Sequence, residues 1–140
     1  MIHFDTSVHI DRPREDVFGT IADPETYPRW NSAVTDVTPL AEAGRYRMLR
    51  TLPTGPAENL LEIVSASAPE EVVIRASDGP TPFTYRYRLE EHGGGTDVHL
   101  DADVDLGGVA GLLGPVAGRV VRRGVDENLA TLKQQLEHGR

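Results

Sequence analysis

The chain has 140 residues, a formal net charge of −8 and a calculated pI near 5.0. This acidic balance argues against nucleic-acid binding, which needs a basic stripe along one face, so we expect no nucleic-acid partner. Its length is sufficient for a single domain, residues 1–140, with one sizeable core. It contains no cysteine, which excludes disulfides, thiol nucleophiles and thiolate metal sites. The sequence starts almost at once with a strand pattern, without a signal peptide or an apolar span, so we expect a cytoplasmic protein without stable membrane insertion.

The first elements are a strand that begins almost at the N-terminus and ends at Ile10, and two short helices that follow it with little loop. Pro13 suits a first helical turn, and apolar residues then recur at helical spacing at Val17, Phe18, Ile21 and Ala22. Pro24 and Pro28 end that helix and start a second one, which runs to Trp30.

This opening resembles the START-like superfamily of helix-grip proteins, and within it the bacterial polyketide cyclase/dehydrase group. The residues that match the family's opening pattern are Ile10, Pro13, Val17, Phe18, Asp23, Tyr27, Pro28 and Trp30. The resemblance implies an α+β fold in which a seven-stranded antiparallel sheet wraps around a long C-terminal helix, with two short helices after the first strand. Members of the superfamily bind sterols, lipids, plant hormones and polyketides, so a fold-level resemblance does not choose a function.

Six further strands are predicted, separated by turns rich in glycine and proline. They span about Val34–Leu40, Arg45–Leu52, Ala57–Ser65, Glu71–Ala76, Pro82–Glu91 and Thr96–Leu106. Around the turn at Gly93–Gly95 the alternation predicts that Leu89 pairs with Val98, Arg86 with Asp101 and Arg88 with His99. Around the turn at Pro53–Pro56 we expect Met48 opposite Leu61, Tyr46 opposite Ile63, Arg47 opposite Glu62 and Arg50 opposite Asn59.

A long helix is predicted from about Pro115 to Leu136. Its inner stripe is Gly114, Gly118, Val121, Val125, Leu129, Leu132 and Leu136. The leucines fill the core, whereas the small residues of the first half leave space above the sheet, which we interpret as a ligand cavity. The alternatives are that the glycines simply allow close packing, or that the segment 107–118 is a surface loop or a lid.

The predicted cavity contains the candidate site residues. Its lining is Tyr46, Met48, Arg50, Asn59, Phe83, Tyr85, Tyr87, Val121, Val125 and Asn128, with Trp30 closing one end. Arg50 is the most informative, since an inward guanidinium cannot lose its charge and needs an acceptor, a ligand or a wet opening. Each inward tyrosine also has a purely structural alternative, as a packed ring with a bonded hydroxyl.

Metal and cofactor motifs are missing from the sequence. His3, His9 and His99 lie on the outward phase of their strands and His92 lies in a turn, without short-range ligand spacing. We therefore expect no metal and no cofactor.

Two functions remain open for the cavity. The first is a polyketide cyclase, aromatase or dehydratase, in which Arg50 stabilises an enolate and a tyrosine donates a proton or holds a carbonyl, with Tyr46, Tyr85 and Tyr87 as the candidates. The second is a noncatalytic binder or carrier of a lipid or hydrophobic metabolite, with the segment 107–118 as a lid and Arg119, Arg122 and Arg123 as candidate headgroup contacts. In both cases the partner is a hydrophobic small molecule, and the protein is a monomer or a homodimer.

Overall fold

A computed structural model describes residues 1–139 and consists of seven strands and four α-helices. The strands are β1 (Ile2–Ile10), β2 (Val34–Pro39), β3 (Arg45–Leu52), β4 (Gly55–Ser67), β5 (Glu71–Ala76), β6 (Phe83–His92) and β7 (Gly95–Val104). The helices are α1 (Arg14–Ile21), α2 (Tyr27–Trp30), α3 (Gly108–Leu113) and α4 (Ala117–His138), with 3-10 turns at Pro24–Thr26 and Gly114–Val116.

The strands form one antiparallel sheet in the order β1-β7-β6-β5-β4-β3-β2. Consecutive strands pair through hairpins, except that the first strand pairs with the last. Helix α4 lies on the concave face, and α1 and α2 follow β1 directly. The predicted helix-grip fold, with two short helices after the first strand, is confirmed.

The register of the β6–β7 hairpin agrees with the prediction. Leu89 pairs with Val98, and both side chains are buried on the concave face. Arg86 pairs with Asp101 on the outer face. The two-residue turn at 93–94 is compatible with this register because both glycines have positive φ, which is the geometry of a tight hairpin turn.

The predicted register of the β3–β4 hairpin is wrong by two residues. Met48 pairs with Asn59 rather than Leu61, and Arg50 pairs with Ala57 rather than Asn59. The cause is a tighter turn: Leu52 pairs with Gly55, whose φ of +119° lets β4 begin immediately after two turn residues. Because a shift of two residues preserves the face on which each side chain lies, Met48 and Arg50 still point inward and are buried.

The other two predicted pairs of this hairpin shift in the same way. Tyr46 pairs with Leu61 rather than Ile63. Glu62 pairs with Arg45 rather than Arg47, and the Arg45 Nη2 atom lies 3.5 Å from a Glu62 carboxylate oxygen.

Helix α4 buries Val125, Leu129 and Leu132 of the stripe that the sequence predicts, together with Ala117 at its start. The first half differs from the prediction. The segment 107–118, for which a surface loop was one alternative, contains the short helix α3, and Pro115 lies in the 3-10 turn before α4 rather than in the helix itself. Gly118 faces Ile2 of β1, since a Cβ added there would lie 3.8 Å from the Ile2 Cγ2 atom.

The described helices include none with the length and apolar character that a membrane crossing requires.

Candidate functional site

An apolar cavity of about 220 Å³ lies between the concave face of the sheet and α4. Strands β3 and β6 form one wall, and the opposite wall comes from α4 and the end of α3. The segment that links α2 to β2 contributes further lining residues. The lining residues are Tyr27, Trp30, Asn31, Ser32, Ala33, Val34, Met48, Arg50, Thr51, Leu52, Pro53, Ile74, Thr81, Phe83, Tyr85, Tyr87, Val104, Leu113, Val120, Val121, Gly124, Val125 and Asn128.

The cavity brings together all of the candidate residues chosen from the sequence except Tyr46 and Asn59. Tyr46 is half-buried against the core, and burial together with the negative charges of Asp23 and Glu25 raises its pKa. Asn59 lies behind Arg50, away from the cavity surface. Their roles as catalytic or ligand-contacting residues stay predictions.

Lining residues also come from positions that the sequence pattern did not single out. Leu113 and Val120 border the cavity from α3 and α4, and Thr81 borders it from the loop before β6. The small residue facing the cavity is Gly124 rather than Gly118, since no atom lies within 4 Å of a Cβ added at Gly124.

Arg50 is the only charged residue in this lining, and it is held entirely by neutral acceptors. Its side chain is only 8% exposed. The Asn59 Oδ1 atom accepts from Arg50 Nε at 3.0 Å and from Nη2 at 2.7 Å. Nη2 also donates to the backbone carbonyls of Pro80 at 2.8 Å and Thr81 at 3.0 Å. Burial lowers the pKa of Arg50 from its ordinary value, but a guanidinium keeps its proton in proteins.

Asn59 is committed to this arrangement by both ends of its side-chain amide. While its oxygen accepts from Arg50, its Nδ2 atom donates to the carbonyls of Asp78 at 2.6 Å and Pro80 at 3.1 Å. The residue is 1% exposed. Its geometry therefore makes it a support for Arg50 and for the loop that follows β5.

The hydrogen bonds of Arg50 use Nε and Nη2, which leaves a face of the guanidinium and its Nη1 atom for other contacts. The Arg50 Cζ atom lies 5.3 Å from the centroid of the Phe83 ring, within the range of a cation–π interaction. Nη1 donates to no acceptor within residues 1–139, and it is not sealed off by protein atoms. Because Arg50 lines the cavity, this Nη1 atom is an unused cationic donor of the cavity wall.

Three aromatic rings of β6 line the wall beside Arg50, because Phe83, Tyr85 and Tyr87 alternate along the strand and share its inner face. The Phe83 and Tyr85 ring centroids lie 4.3 Å apart, and the Tyr85 and Tyr87 rings meet edge to face at 6.2 Å. Neither tyrosine hydroxyl has a hydrogen-bond partner within residues 1–139. Burial raises the pKa of Tyr85 to about 12, although the charge of Arg50 opposes the rise. Tyr85 is thus protonated at neutral pH and can donate.

Trp30 and Tyr27 close the cavity with polar atoms that are already used. The Trp30 Nε1 atom donates to the Thr26 hydroxyl at 3.2 Å, and the Tyr27 hydroxyl donates to the Ile21 carbonyl at 2.7 Å. Their rings pack edge to face, with centroids 5.2 Å apart. Both residues therefore present apolar surface to the cavity.

Asn128 of α4 supplies a second polar group. Its Oδ1 atom accepts from the Ser32 backbone N–H at 3.1 Å and lies 3.5 Å from the Ser32 hydroxyl. This leaves the amide nitrogen of Asn128 as a neutral donor beside the cavity.

The chemistry available in the cavity follows from these groups. Arg50 supplies a fixed positive charge, Tyr85 and Tyr87 supply neutral donors, and the rest of the lining is largely apolar. Within the described lining there is no histidine, carboxylate or lysine. The site can stabilise a negative oxygen and donate a proton, but none of its side chains can accept a proton at neutral pH.

Comparison with known proteins agrees with this architecture. Residues 1–137 match the profile of a family described as "Polyketide cyclase / dehydrase and lipid transport". The chain belongs to this family. No match is found among curated proteins.

Several solved structures share the fold at low sequence identity. A protein from Thermus thermophilus has a TM-score of 0.80 and 18% identity, with 96% of each chain covered. A START superfamily protein from Mycobacterium smegmatis has a TM-score of 0.68 and 19% identity, covering 96% of this chain and 94% of the other. The di-domain ARO/CYC protein BexL from the BE-7585A biosynthetic pathway has a TM-score of 0.67 and 20% identity, covering 99% of this chain and half of BexL. These likenesses support the helix-grip fold.

Proposed function

We propose that this protein binds a hydrophobic small molecule whose carbonyl or enolate oxygen contacts Arg50, and that it acts as a cyclase or dehydratase of the polyketide type. The observation that carries the proposal is a buried guanidinium that lines an apolar cavity, whose protein partners are all neutral and whose Nη1 atom donates to no acceptor within residues 1–139. A charge in such surroundings interacts strongly with an oxygen that becomes negative during a reaction.

The reaction we propose is the closure of a ring by an enolisable ketone, followed by loss of water. Arg50 stabilises the enolate oxygen, and the α-proton of the ketone passes to solvent water. Tyr85 donates a hydrogen bond or a proton to the carbonyl that is attacked, and water returns any proton that Tyr85 gives up. Because the described lining holds no base, the substrate must be one that enolises readily, as a β-diketone does. The apolar wall holds the chain in a reactive geometry.

The cavity volume restricts the size of the ligand. About 220 Å³ lies below the usual range of roughly 300 to 1,000 Å³ for small-molecule sites. We therefore propose a ligand of one or two rings, or a short acyl chain, rather than a long polyketide folded entirely inside.

Arg50→Met tests the catalytic proposal, since it keeps length and apolar bulk but removes the charge. With a short β-diketo thioester as substrate, we expect turnover to fall about a hundredfold or more, as when an oxyanion donor is lost. Product affinity should fall much less, because most of it comes from apolar contact. Arg47→Met is the matched control, since Arg47 lies on the same strand and is exposed.

The outcome of this experiment separates two mechanisms. If Arg50→Met retains full turnover while Arg47→Met is also unaffected, Arg50 takes no part in the reaction. Tyr85→Phe then becomes the decisive variant, because it removes a donor hydroxyl from the same wall.

A second function is the binding or transport of a lipid-like molecule without turnover. Two observations favour it: the described lining contains no base, and apolar residues lie beside the cavity. Leu113 and Val120 line the cavity, and nearby in the chain Leu112 is 59% exposed. Native mass spectrometry of protein purified from its own host distinguishes the two functions. A bound fatty acid or phospholipid supports transport, whereas a bound polyketide supports catalysis.

A further inference from the structure

Two histidines and an aspartate meet on the outer face of the sheet, on the opposite side from the cavity. His9 of β1 is the direct cross-strand partner of Asp97 of β7. His92 ends β6 and lies diagonally from Asp97, whose direct partner on that side is Glu90. The positions are far apart in the sequence, and pairing of β1, β6 and β7 brings them together.

The potential ligand atoms of this His9–His92–Asp97 cluster are close and accessible. The His9 Nδ1 atom lies 2.7 Å from one Asp97 carboxylate oxygen, and the His92 Nδ1 atom lies 2.8 Å from the other. All three ligand atoms lie within 4.8 Å of one another. The side chains of His9 and His92 are 44% and 71% exposed, so a hydrated ion can reach them.

The ring of His9 has a defined position in this cluster. It lies edge to face with the His92 ring, at 80° and a centroid separation of 5.7 Å, so the two rings approach Asp97 from different directions. The missing side chain of Gly95 leaves room for His9, since a Cβ at Gly95 would lie 2.8 Å from the His9 Nε2 atom.

We propose that His9, His92 and Asp97 form a surface binding site for a late first-row divalent cation such as Zn²⁺. Two imidazole nitrogens with one carboxylate oxygen are a donor set that these ions prefer, whereas Mg²⁺ and Ca²⁺ prefer oxygen alone. The ion replaces the two Nδ1 hydrogens that face Asp97, and each neutral imidazole carries its proton on Nε2 instead. Water completes the coordination.

The expectation of no metal rested on sequence spacing, which does not detect ligands brought together by cross-strand pairing. The other surface histidines differ from this cluster in their donors. His3 faces Asp103 at 2.7 Å and His99 faces Glu90 at 2.9 Å. A second close group, of His3, Asp5 and Asp101, contains only one nitrogen ligand. Among the described residues, two imidazoles and a carboxylate therefore converge at the His9–His92–Asp97 cluster alone.

Isothermal titration of the whole protein with Zn²⁺ tests the proposal. We expect saturable binding of one ion per chain, which a large excess of Mg²⁺ does not displace. His92→Ala should raise the Kd at least about tenfold, since it removes a direct ligand, and so should Asp97→Asn. His3→Ala is the matched control, because it removes another exposed histidine, which lies on β1 and pairs with a carboxylate of β7.

A spectroscopic measurement guards against a folding effect of the variants. With Cu²⁺ as the probe, electron paramagnetic resonance should show two coordinated nitrogens in the native protein and one in His92→Ala. The proposal is overturned if Zn²⁺ does not bind, if binding survives in His92→Ala, or if His3→Ala abolishes it equally. Displacement by Mg²⁺ would likewise show only a diffuse acidic surface.

Discussion

Asn59→Ala is the most direct test of the arrangement that orients Arg50. The substitution removes both hydrogen bonds from Asn59 to Arg50 and both donations from its amide to the loop carbonyls of Asp78 and Pro80. Arg50 keeps the Pro80 and Thr81 carbonyls, so its charge loses part of its support rather than all of it. Removing a partner from a buried charged network costs about 3 to 5 kcal/mol, and we expect the lower end of that range here.

Such a loss is a large part of the stability of a domain, which is typically about 5 to 15 kcal/mol. Urea unfolding can follow it through the fluorescence of Trp30, the single tryptophan of the chain, which is 4% exposed. The control is Asn128→Ala, which removes contacts at a half-buried position and should cost about 1 kcal/mol.

A double-mutant cycle with Arg50→Met makes the test specific. If Asn59 acts through Arg50, the two losses are not additive, and we expect a coupling energy of about 1.5 kcal/mol or more. A cost below about 1 kcal/mol for Asn59→Ala, or additive losses, would show that Asn59 does not fix the guanidinium.

Two further predictions concern the cavity and the protein surface. Gly124→Leu should fill space in the cavity and reduce the affinity of a fluorescent hydrophobic probe at least tenfold. The control is Gly118→Leu, which should leave probe affinity unchanged because Gly118 faces β1. Equal losses of affinity in the two variants would contradict the cavity assignment. The hydrogen bond to Asp103 raises the pKa of His3 above 6.5, so this pair favours the folded state below pH 6.5 and the effect is lost as the pH rises through the folded-state pKa. An NMR titration should show this raised pKa, and Asp103→Asn should return it towards 6.5; an unchanged value in the variant would assign the shift to another cause.

The parts of the fold that the sequence predicted well are those with a strong local signal. Alternation on both sides of the glycine turn at 93–94 determined the β6–β7 register, because a slip of one residue would have exposed Leu89 and Val98. The β3–β4 turn was ambiguous, since prolines at 53 and 56 allowed more than one loop length. The alternation nevertheless predicted the inner face of each strand correctly, and Met48 and Arg50 are buried as expected.

The site was harder to predict where it depends on long-range geometry. Periodicity gives the inner stripe of α4 but not the angle at which the helix crosses the sheet, so Gly118 was assigned to the space that Gly124 borders. The carbonyl groups that hold Arg50 belong to an irregular loop, which has no periodic pattern to read. The His9–His92–Asp97 cluster depends on the pairing of three strands, and its local spacing has no metal-binding signature.

The loop from Asp78 to Thr81 explains why Arg50 can face the cavity without a carboxylate partner. Gly79 has a φ of +77°, and a Cβ there would lie 2.5 Å from the Glu58 carbonyl and 3.0 Å from the Asn59 amide, so only glycine lets this loop approach β4 so closely. Thr81 also has a positive φ of 52°, a conformation that costs a residue other than glycine about 1 to 3 kcal/mol. The strained loop aims two backbone carbonyls at the guanidinium. A carboxylate in their place would hold Arg50 as well, but it would also neutralise the charge on which the proposed ligand contact depends.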